Sequence, residues 1–257
     1  KTDDPEAVVR DVGRGRVQFH RKARNEGHTA NFNTCVARSR GHLVHILHGD
    51  DYVLPGFYRR IWTLAEERPD LAFFASRAFY VDEDGVIERV ATRVPGLESG
   101  GNDVAAFFYE TPTQTPGVVV RRSLYERLGG FHPALVHTAD CEMWARAIAG
   151  GGGIVATGIL AGYRVFAANH SGRLVRTAEN LRDIARLNRI LGQQYSHFDA
   201  AKGRARLSEM AMWQAEQFQA EGNDEAHAAN MAFWRETALF SQRLRRRLSR
   251  VFRSVMG

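Results

Sequence analysis

The sequence contains only two cysteines, Cys35 and Cys141, in 257 residues. They have no metal-ligand spacing, and a disulfide framework needs a denser pattern. A reduced cytosolic chain with two buried thiols is the expectation. Long apolar runs are missing as well. No stretch approaches the ~18–20 apolar residues that cross a bilayer. The opening Lys1-Thr2-Asp3-Asp4-Pro5 has no apolar run of the kind that marks a signal peptide. Acidic residues stop at Glu236, and Arg243, Arg245, Arg246, Arg247, Arg250 and Arg253 follow. These six arginines equal the whole net charge of +6, so the rest of the chain is neutral. Basicity confined to one end argues against nucleic acid as a partner.

The remaining composition is that of an ordinary globular protein, 44% hydrophobic and 25% charged. The length fits one domain of about 170 residues plus an appendage. Asp4, Pro5 and Glu6 form a helix start, with Val8, Val9 and Val12 as its apolar side. Val17-Gln18-Phe19 reads as a short strand. Thr29 to Arg40 reads as a helix closed by Gly41. Leu43 to Leu47 has the apolar continuity of a strand buried on both faces. Pro55 opens a helix that carries Phe57, Ile61, Leu64 and Ala65 on one side and stops at Pro69.

Leu71 to Ala75 is a further strand. Asp82-Glu83-Asp84-Gly85 joins Phe79-Tyr80-Val81 to Val86-Ile87 as a hairpin. Residues 95–103 read as a loop. Gly117 to Val120 is a strand, and Ser123 with Glu126 forms a capping box before a short helix. Thr138 to Ala149 is a helix ended by Gly150 to Gly153. Ile154 to Ala156 and Ile159 to Phe166 complete the strands. From Thr177 the pattern is helical only, over 177–191, 204–221, 225–240 and 241–255. Alternating strands and helices followed by helices alone predict an α/β domain with a helical appendage. Trp62, Phe73, Phe74 and Trp144 fall at core-like spacings, and packing explains them without a stacked ligand.

Two acidic stations carry the chemistry. Asp50-Asp51 follows the apolar strand, where open α/β sheets bind ligands beyond their carboxyl ends. Adjacent carboxylates there can hold a hard cation, with a diphosphate completing its shell. An acidic turn before a helix explains the pair as well. Asp140 follows Thr138, which can cap, and so sits in the first turn of a helix. A carboxylate there can take a proton from an incoming hydroxyl. An acid that complements the helix dipole accounts for it equally.

The order of these segments is more specific than any one of them. The run Gly27, Asn33, Ala37, Gly41, a buried strand, then Gly49-Asp50-Asp51 and Pro55 resembles the family 2 glycosyltransferases of GT-A fold. So does the later run Val119-Val120-Arg121-Arg122, Gly129-Gly130-Phe131, Asp140, Trp144-Ala145-Arg146 and Tyr163-Arg164. The resemblance covers residues 2 to about 175. It implies an α/β fold, a GT-A-like Rossmann-type mixed sheet with flanking helices, followed by an α-helical C-terminal appendage. Residues 1–176 form the GT-A-like domain on this reading, and 177–257 the helical region with a basic amphipathic final helix.

The implied activity is inverting transfer of a sugar from a nucleotide-sugar donor to a saccharide, lipid-linked or protein acceptor hydroxyl. The implied cofactor is Mn²⁺ or Mg²⁺. Asp51 and Asp50 match the metal-binding DxD-type motif, with Asp50 also a donor contact. Asp140 matches the general base. Asn25, Gly27 and Asn33 are carried as further donor contacts. The sequence departs from the family at three places. His48 stands where an aspartate often begins the metal motif, and imidazole suits Mn²⁺ better than Mg²⁺. Ala139 replaces an acidic residue before the base. Phe166 occupies a frequent histidine position, which leaves His170 as a candidate late metal or phosphate contact.

Family members also open with two strands that build the pocket for the nucleotide base. Thr2-Asp3-Asp4 resembles the end of that segment, so the chain is expected to be a fragment of the working protein. In the 241–255 segment, Leu244, Leu248, Val251, Phe252 and Val255 form an apolar stripe among arginines. An anionic membrane surface is one expected partner, which would place the protein peripherally at the inner face of a membrane. A solvated or protein-bound helix explains the stripe as well. Two other readings stay open. One is a catalytically silent nucleotide-sugar-binding or interaction module on the same fold. The other is a nucleotidyltransferase, which needs a basic, glycine-rich opening.

Overall fold

The apolar runs pair as a single mixed sheet in the computed structural model, which describes residues 4–166, 170–238 and 242, with the backbone alone at His170. Six strands are formed: β1 (Leu43–His45), β2 (Tyr52–Val53), β3 (Phe73–Val81), β4 (Ile87–Val90), β5 (Val118–Arg121) and β6 (Gly153–Arg164). Their order is β1-β5-β3-β6-β2, with β4 paired to β3 off this path. Only β3 and β6 run parallel, from Phe73 opposite Gly153 to Val81 opposite Arg164. The other pairs are antiparallel. The carboxyl ends of β3 and β6 therefore lie side by side, and the site is built there.

Ten helices accompany the sheet among the described residues: α1 (Pro5–Gly13), α2 (His28–Arg38), α3 (Phe57–Glu67), α4 (Pro95–Glu98), α5 (Arg122–Leu128), α6 (Ala139–Gly151), α7 (His170–Arg176), α8 (Glu179–Gln194), α9 (Ala200–Ala220) and α10 (Asp224–Thr237). The α1 cap is as expected: Asp4 accepts the N–H groups of Glu6 and Ala7. The expected face of α3 is inside, with Phe57, Ile61, Leu64 and Ala65 all buried. They pack on Phe74, Val119 and Ile154 from one side of the sheet. Phe73, Val120, Val155 and the α6 residues Met143, Trp144 and Ile148 fill the other side. That cluster also takes in Leu187 and Leu191 of α8 and Phe198 beyond it. A third cluster joins α8, α9 and α10 through Leu181, Leu207, Ala211, Ala215, Met231 and Trp234.

Several local expectations are corrected. Val17-Gln18-Phe19 is not a strand. No described strand lies beside it, and three residues without a ladder leave their backbone groups to water. The two runs 71–75 and 79–81 merge into the nine-residue β3, because β6 pairs along its whole length. The runs at 154–156 and 159–166 merge likewise into β6. The intervening Thr157 and Gly158 are accommodated as a register shift opposite Ser76 and Arg77. Residues 95–98 form a short helix instead of loop. Neither Thr138 nor Ser123 caps its helix: Thr138 makes no capping bond, and α5 begins after Arg121 without one.

Cys35 is exposed, and only Cys141 is buried. Trp62 is exposed too, on the outer face of α3, whereas Phe73, Phe74 and Trp144 are core. The 241–255 segment lies outside the described residues apart from Gln242. No helix among the described residues is long and apolar enough to cross a membrane.

Candidate active site

The turn after β1 carries His48, Gly49, Asp50 and Asp51 and leads at once into β2. β2 pairs with β6, setting Tyr52 opposite Gly162. A Cβ on Gly162 would lie 2.2 Å from the Tyr52 ring, so only glycine lets the ring lie against β6. This packing brings Asp51 to the end of β6. Its side chain is 1% exposed, and its Oδ1 accepts the Arg164 N–H at 2.9 Å. The Arg164 guanidinium donates in turn to the carbonyls of Asp50, Asp82 and Glu83. One arginine thus ties the acidic turn to the β3–β4 hairpin.

The second oxygen of Asp51 is buried and accepts no well-formed hydrogen bond among the described residues, with His48 Nδ1 3.1 Å away. His48 Nε2 is buried without a partner among the described residues. Ligand atoms of His48, Asp50 and Asp51 all lie within 4.8 Å of one another. Burial alone would push the His48 imidazole down, but the Asp51 carboxylate beside it, with the charges of Asp140 and Asp50, raises it instead. Phe32 of α2 stacks on the imidazole, ring centroids 5.2 Å apart and planes within 8°. This donor set, one imidazole with two carboxylates and orphaned atoms on two of the three residues, fits a divalent cation.

Asp140 is in the first turn of α6. Its Oδ2 accepts the Thr115 hydroxyl at 3.1 Å, and its Oδ1 accepts the Cys141 N–H at 2.8 Å. The loop before α6 is held from another element. Asp183 of α8 is fully buried and accepts the N–H groups of Val136, His137 and Thr138 and the Thr138 hydroxyl. Burial pushes its carboxyl up, but these backbone and hydroxyl donors outweigh that and hold it below the usual carboxylate range. Thr138 thus uses its hydroxyl on Asp183 and not on its own helix.

Asp50, His48 and Asp140 line one cavity of about 980 Å³, together with Tyr163 and Arg164. Asp51 sits just beneath this wall. The Tyr163 hydroxyl is pushed up to about 12, by burial first and then by the charges of Asp140 and Asp51. Tyr163 therefore stays protonated in the cavity wall near both acidic stations. Burial, then the Asp140 charge, also keeps the Cys141 thiol well above its usual range, so it is not a ready nucleophile.

The other expected residues fall elsewhere. Asn33 does not line the cavity; its amide donates to the Phe131 carbonyl and accepts the Phe131 N–H. Asn25 is exposed and accepts the Gly27 N–H, while Gly27 starts α2 with φ at +85°. His28 and Phe32, next in the same helix, are the residues that reach the cavity. His170 begins α7, and its side chain lies outside what the structure describes. Sequence reasoning missed Thr115, Asp183 and the α9 wall of the cavity. An isolated threonine or aspartate carries no signal of its own, and α9 showed only helical periodicity.

Three comparisons bear on this geometry. The model of the family "Glycosyl transferase family 2" matches residues 1–129, a span that holds the acidic turn and ends before Asp140. An uncharacterized glycosyltransferase of Methanocaldococcus jannaschii is 28% identical over 134 residues, 52% of this chain and 45% of that protein. The match thus spans less than half of that relative's length. A mannosyltransferase from Pyrobaculum calidifontis, solved with GDP-Man and Mn²⁺, superposes with a TM-score of 0.52 over 96% of this chain and 67% of its own, at 14% identity. That likeness covers the mixed sheet, its flanking helices and the helical region that follows. With the family model matched over half of its length, the chain belongs to glycosyl transferase family 2.

Proposed function

We propose that this chain transfers a sugar from a nucleotide-sugar donor to an acceptor hydroxyl, with inversion at the anomeric carbon. The observation that carries this reading is one cavity lined by both stations, the His48–Asp50 turn backed by Asp51 and the lone Asp140. His48, Asp50 and Asp51 would hold a divalent ion, Mn²⁺ more readily than Mg²⁺ given the imidazole. When bound, such an ion neutralises charge on the departing nucleoside diphosphate. The fold neighbour's GDP-Man and Mn²⁺ support the same choice of donor class and cation.

Asp140 acts as the base. It takes the acceptor proton while the acceptor oxygen bonds to the anomeric carbon, and the bond from that carbon to the phosphate oxygen breaks. The electron pair leaves with the nucleoside diphosphate. The Thr115 hydroxyl and the Cys141 N–H fix the carboxylate's direction, so a lone pair is presented without reorganisation. Tyr163, held protonated, is placed to donate to an oxygen that gains charge. Asn25, Gly27 and Asn33 as donor contacts, and His170 as a metal or phosphate contact, are proposed on the sequence alone. Work in the cytoplasm, with 241–255 touching a membrane surface, completes the proposal and rests on sequence alone.

Isothermal calorimetry with GDP, UDP and dTDP, with and without Mn²⁺, is the test. Binding of one diphosphate should need the metal and be lost in Asp51→Ala. Metal-independent binding, or equal binding by Asp51→Ala, would overturn the cation site.

A further inference from the structure

The helical region contributes a wall to the active cavity, and its chemistry points to a ligand. On α9, Gly203, Arg206, Met210 and Trp213 recur at steps of three and four residues and all line the cavity. The adjoining face is buried through Ala211 and Ala215, with Leu207 at the border between core and cavity. Trp213 is 60% exposed although it lines a cavity, so a large planar apolar surface stands open beside polar side chains. The Arg206 guanidinium pairs with Glu110 at 2.6 Å.

Two carboxamides lie in the same wall, Asn180 at the start of α8 and Gln214 beside Trp213. They are 2% and 6% exposed. The carbonyl oxygen of each is buried with no hydrogen-bond partner among the described residues. Buried polar atoms are almost always paired, and such exceptions in a cavity wall mark where an incoming donor would complete the set.

We propose that this wall is the acceptor subsite and that the acceptor is a saccharide. The inference rests on the transferase reading of the same cavity and adds the class of the second substrate. A pyranose ring presents an apolar C–H face and a rim of hydroxyls. Trp213 meets the first by stacking, and the Asn180 and Gln214 carboxamides accept from the second. A lipid tail would leave both carboxamides unpaired, and a flexible peptide would present no rigid flat face to the indole. The cavity volume of about 980 Å³ lies at the upper end of the ~300–1,000 Å³ usual for small-molecule sites, which leaves room for a second ligand beside a donor.

The test incubates the full chain, with Mn²⁺ and GDP, UDP or dTDP, on an array of immobilised mono- and oligosaccharides. Ser/Thr peptides on the same array and neutral lipid vesicles in a parallel flotation are the other arms. Saccharides should be retained, and peptides and vesicles should not. Trp213→Ala should weaken retention about tenfold, as for loss of an aromatic anchor, and Trp213→Phe should restore most of it. Gln214→Ala should weaken it without a change in helix content by circular dichroism. Nucleotide affinity, read separately by calorimetry, reports on the donor side and distinguishes failure of the transferase reading from failure of this one. The inference is overturned if no saccharide is retained, if Trp213→Ala retains saccharides as the unaltered chain does, or if peptides or vesicles are the ligands held.

Discussion

At the scale of single residues, Asp140 carries the sharpest expectation. Its carboxylate has two hydrogen-bond donors and lines the cavity, so the proposed role as base can be tested apart from donor binding. Asp140→Asn keeps the shape and removes the proton acceptor. Turnover should fall by about 10²–10⁴-fold, the usual contribution of general base catalysis. Affinity for the nucleoside diphosphate and metal should change little. Steady-state rates with calorimetry on the same variant check both halves, and near-normal turnover would remove Asp140 from the mechanism. The positions of Asp50 and Asp51 beyond an apolar strand and of Asp140 in a first helical turn were legible in the sequence, from the run Leu43 to Leu47 and from the helical pattern after Thr138. The tie from Asn33 to Phe131 was not, since a half-buried amide that holds a remote backbone segment cannot be told from a ligand-binding one by position alone.

At the scale of elements, the placement of α6 depends on α8. Asp183 ties down three consecutive backbone N–H groups just ahead of the helix that carries Asp140, and Arg186 pairs with its other oxygen at 3.2 Å. It is a positioning residue. Asp183→Ala should cost about 3 kcal/mol of stability, in the range for hydrogen bonds to a buried charge. Asp183→Asn should lower turnover with little change in donor affinity, which a purely structural loss would not separate.

The pH dependence of Asp183 follows from the direction of its shift. The folded carboxyl titrates below its unfolded value, so its contribution is complete above the unfolded value of about 3.9 and is lost as pH falls through the folded one. The stability gap between the unaltered chain and Asp183→Asn should be flat above about pH 5 and close on acidification below about pH 4. Urea unfolding across that range checks it. A gap that closes at neutral pH would contradict the assignment. Helix and strand positions were legible from apolar periodicity, but this tie was not. The strand β6 and the helix α7 lie between α6 and α8 in the chain, and only packing brings Asp183 to residues 136–138. The same holds for β3 and β6, where pairing over nine β3 residues fused what local pattern had divided.

At the scale of the molecule, the change from mixed to helical sequence near 176 does not coincide with a break in the core. Leu187, Leu191 and Phe198 belong to the cluster that contains Phe73, Phe107 and Trp144. Phe198 stacks on Tyr109, and the Tyr109 hydroxyl exchanges hydrogen bonds with the Asp199 backbone. Asp183 and the Arg206–Glu110 pair add polar ties across the same seam. The helical region should therefore fold with the sheet as one cooperative unit. The full chain should unfold in one transition, with fluorescence and circular dichroism coincident. Residues 1–176 alone would expose the Phe107, Phe108 and Leu135 side of the core and lose the acceptor to which Val136, His137 and Thr138 donate. That piece should bind a hydrophobic dye and show a broadened, lower thermal transition. Addition of separate 177–257 should not restore nucleotide binding if the seam forms only during folding of the intact chain. If 1–176 instead melts as sharply as the full chain and keeps its nucleotide affinity, the cavity is the work of the sheet domain alone, and α8 and α9 merely cover it.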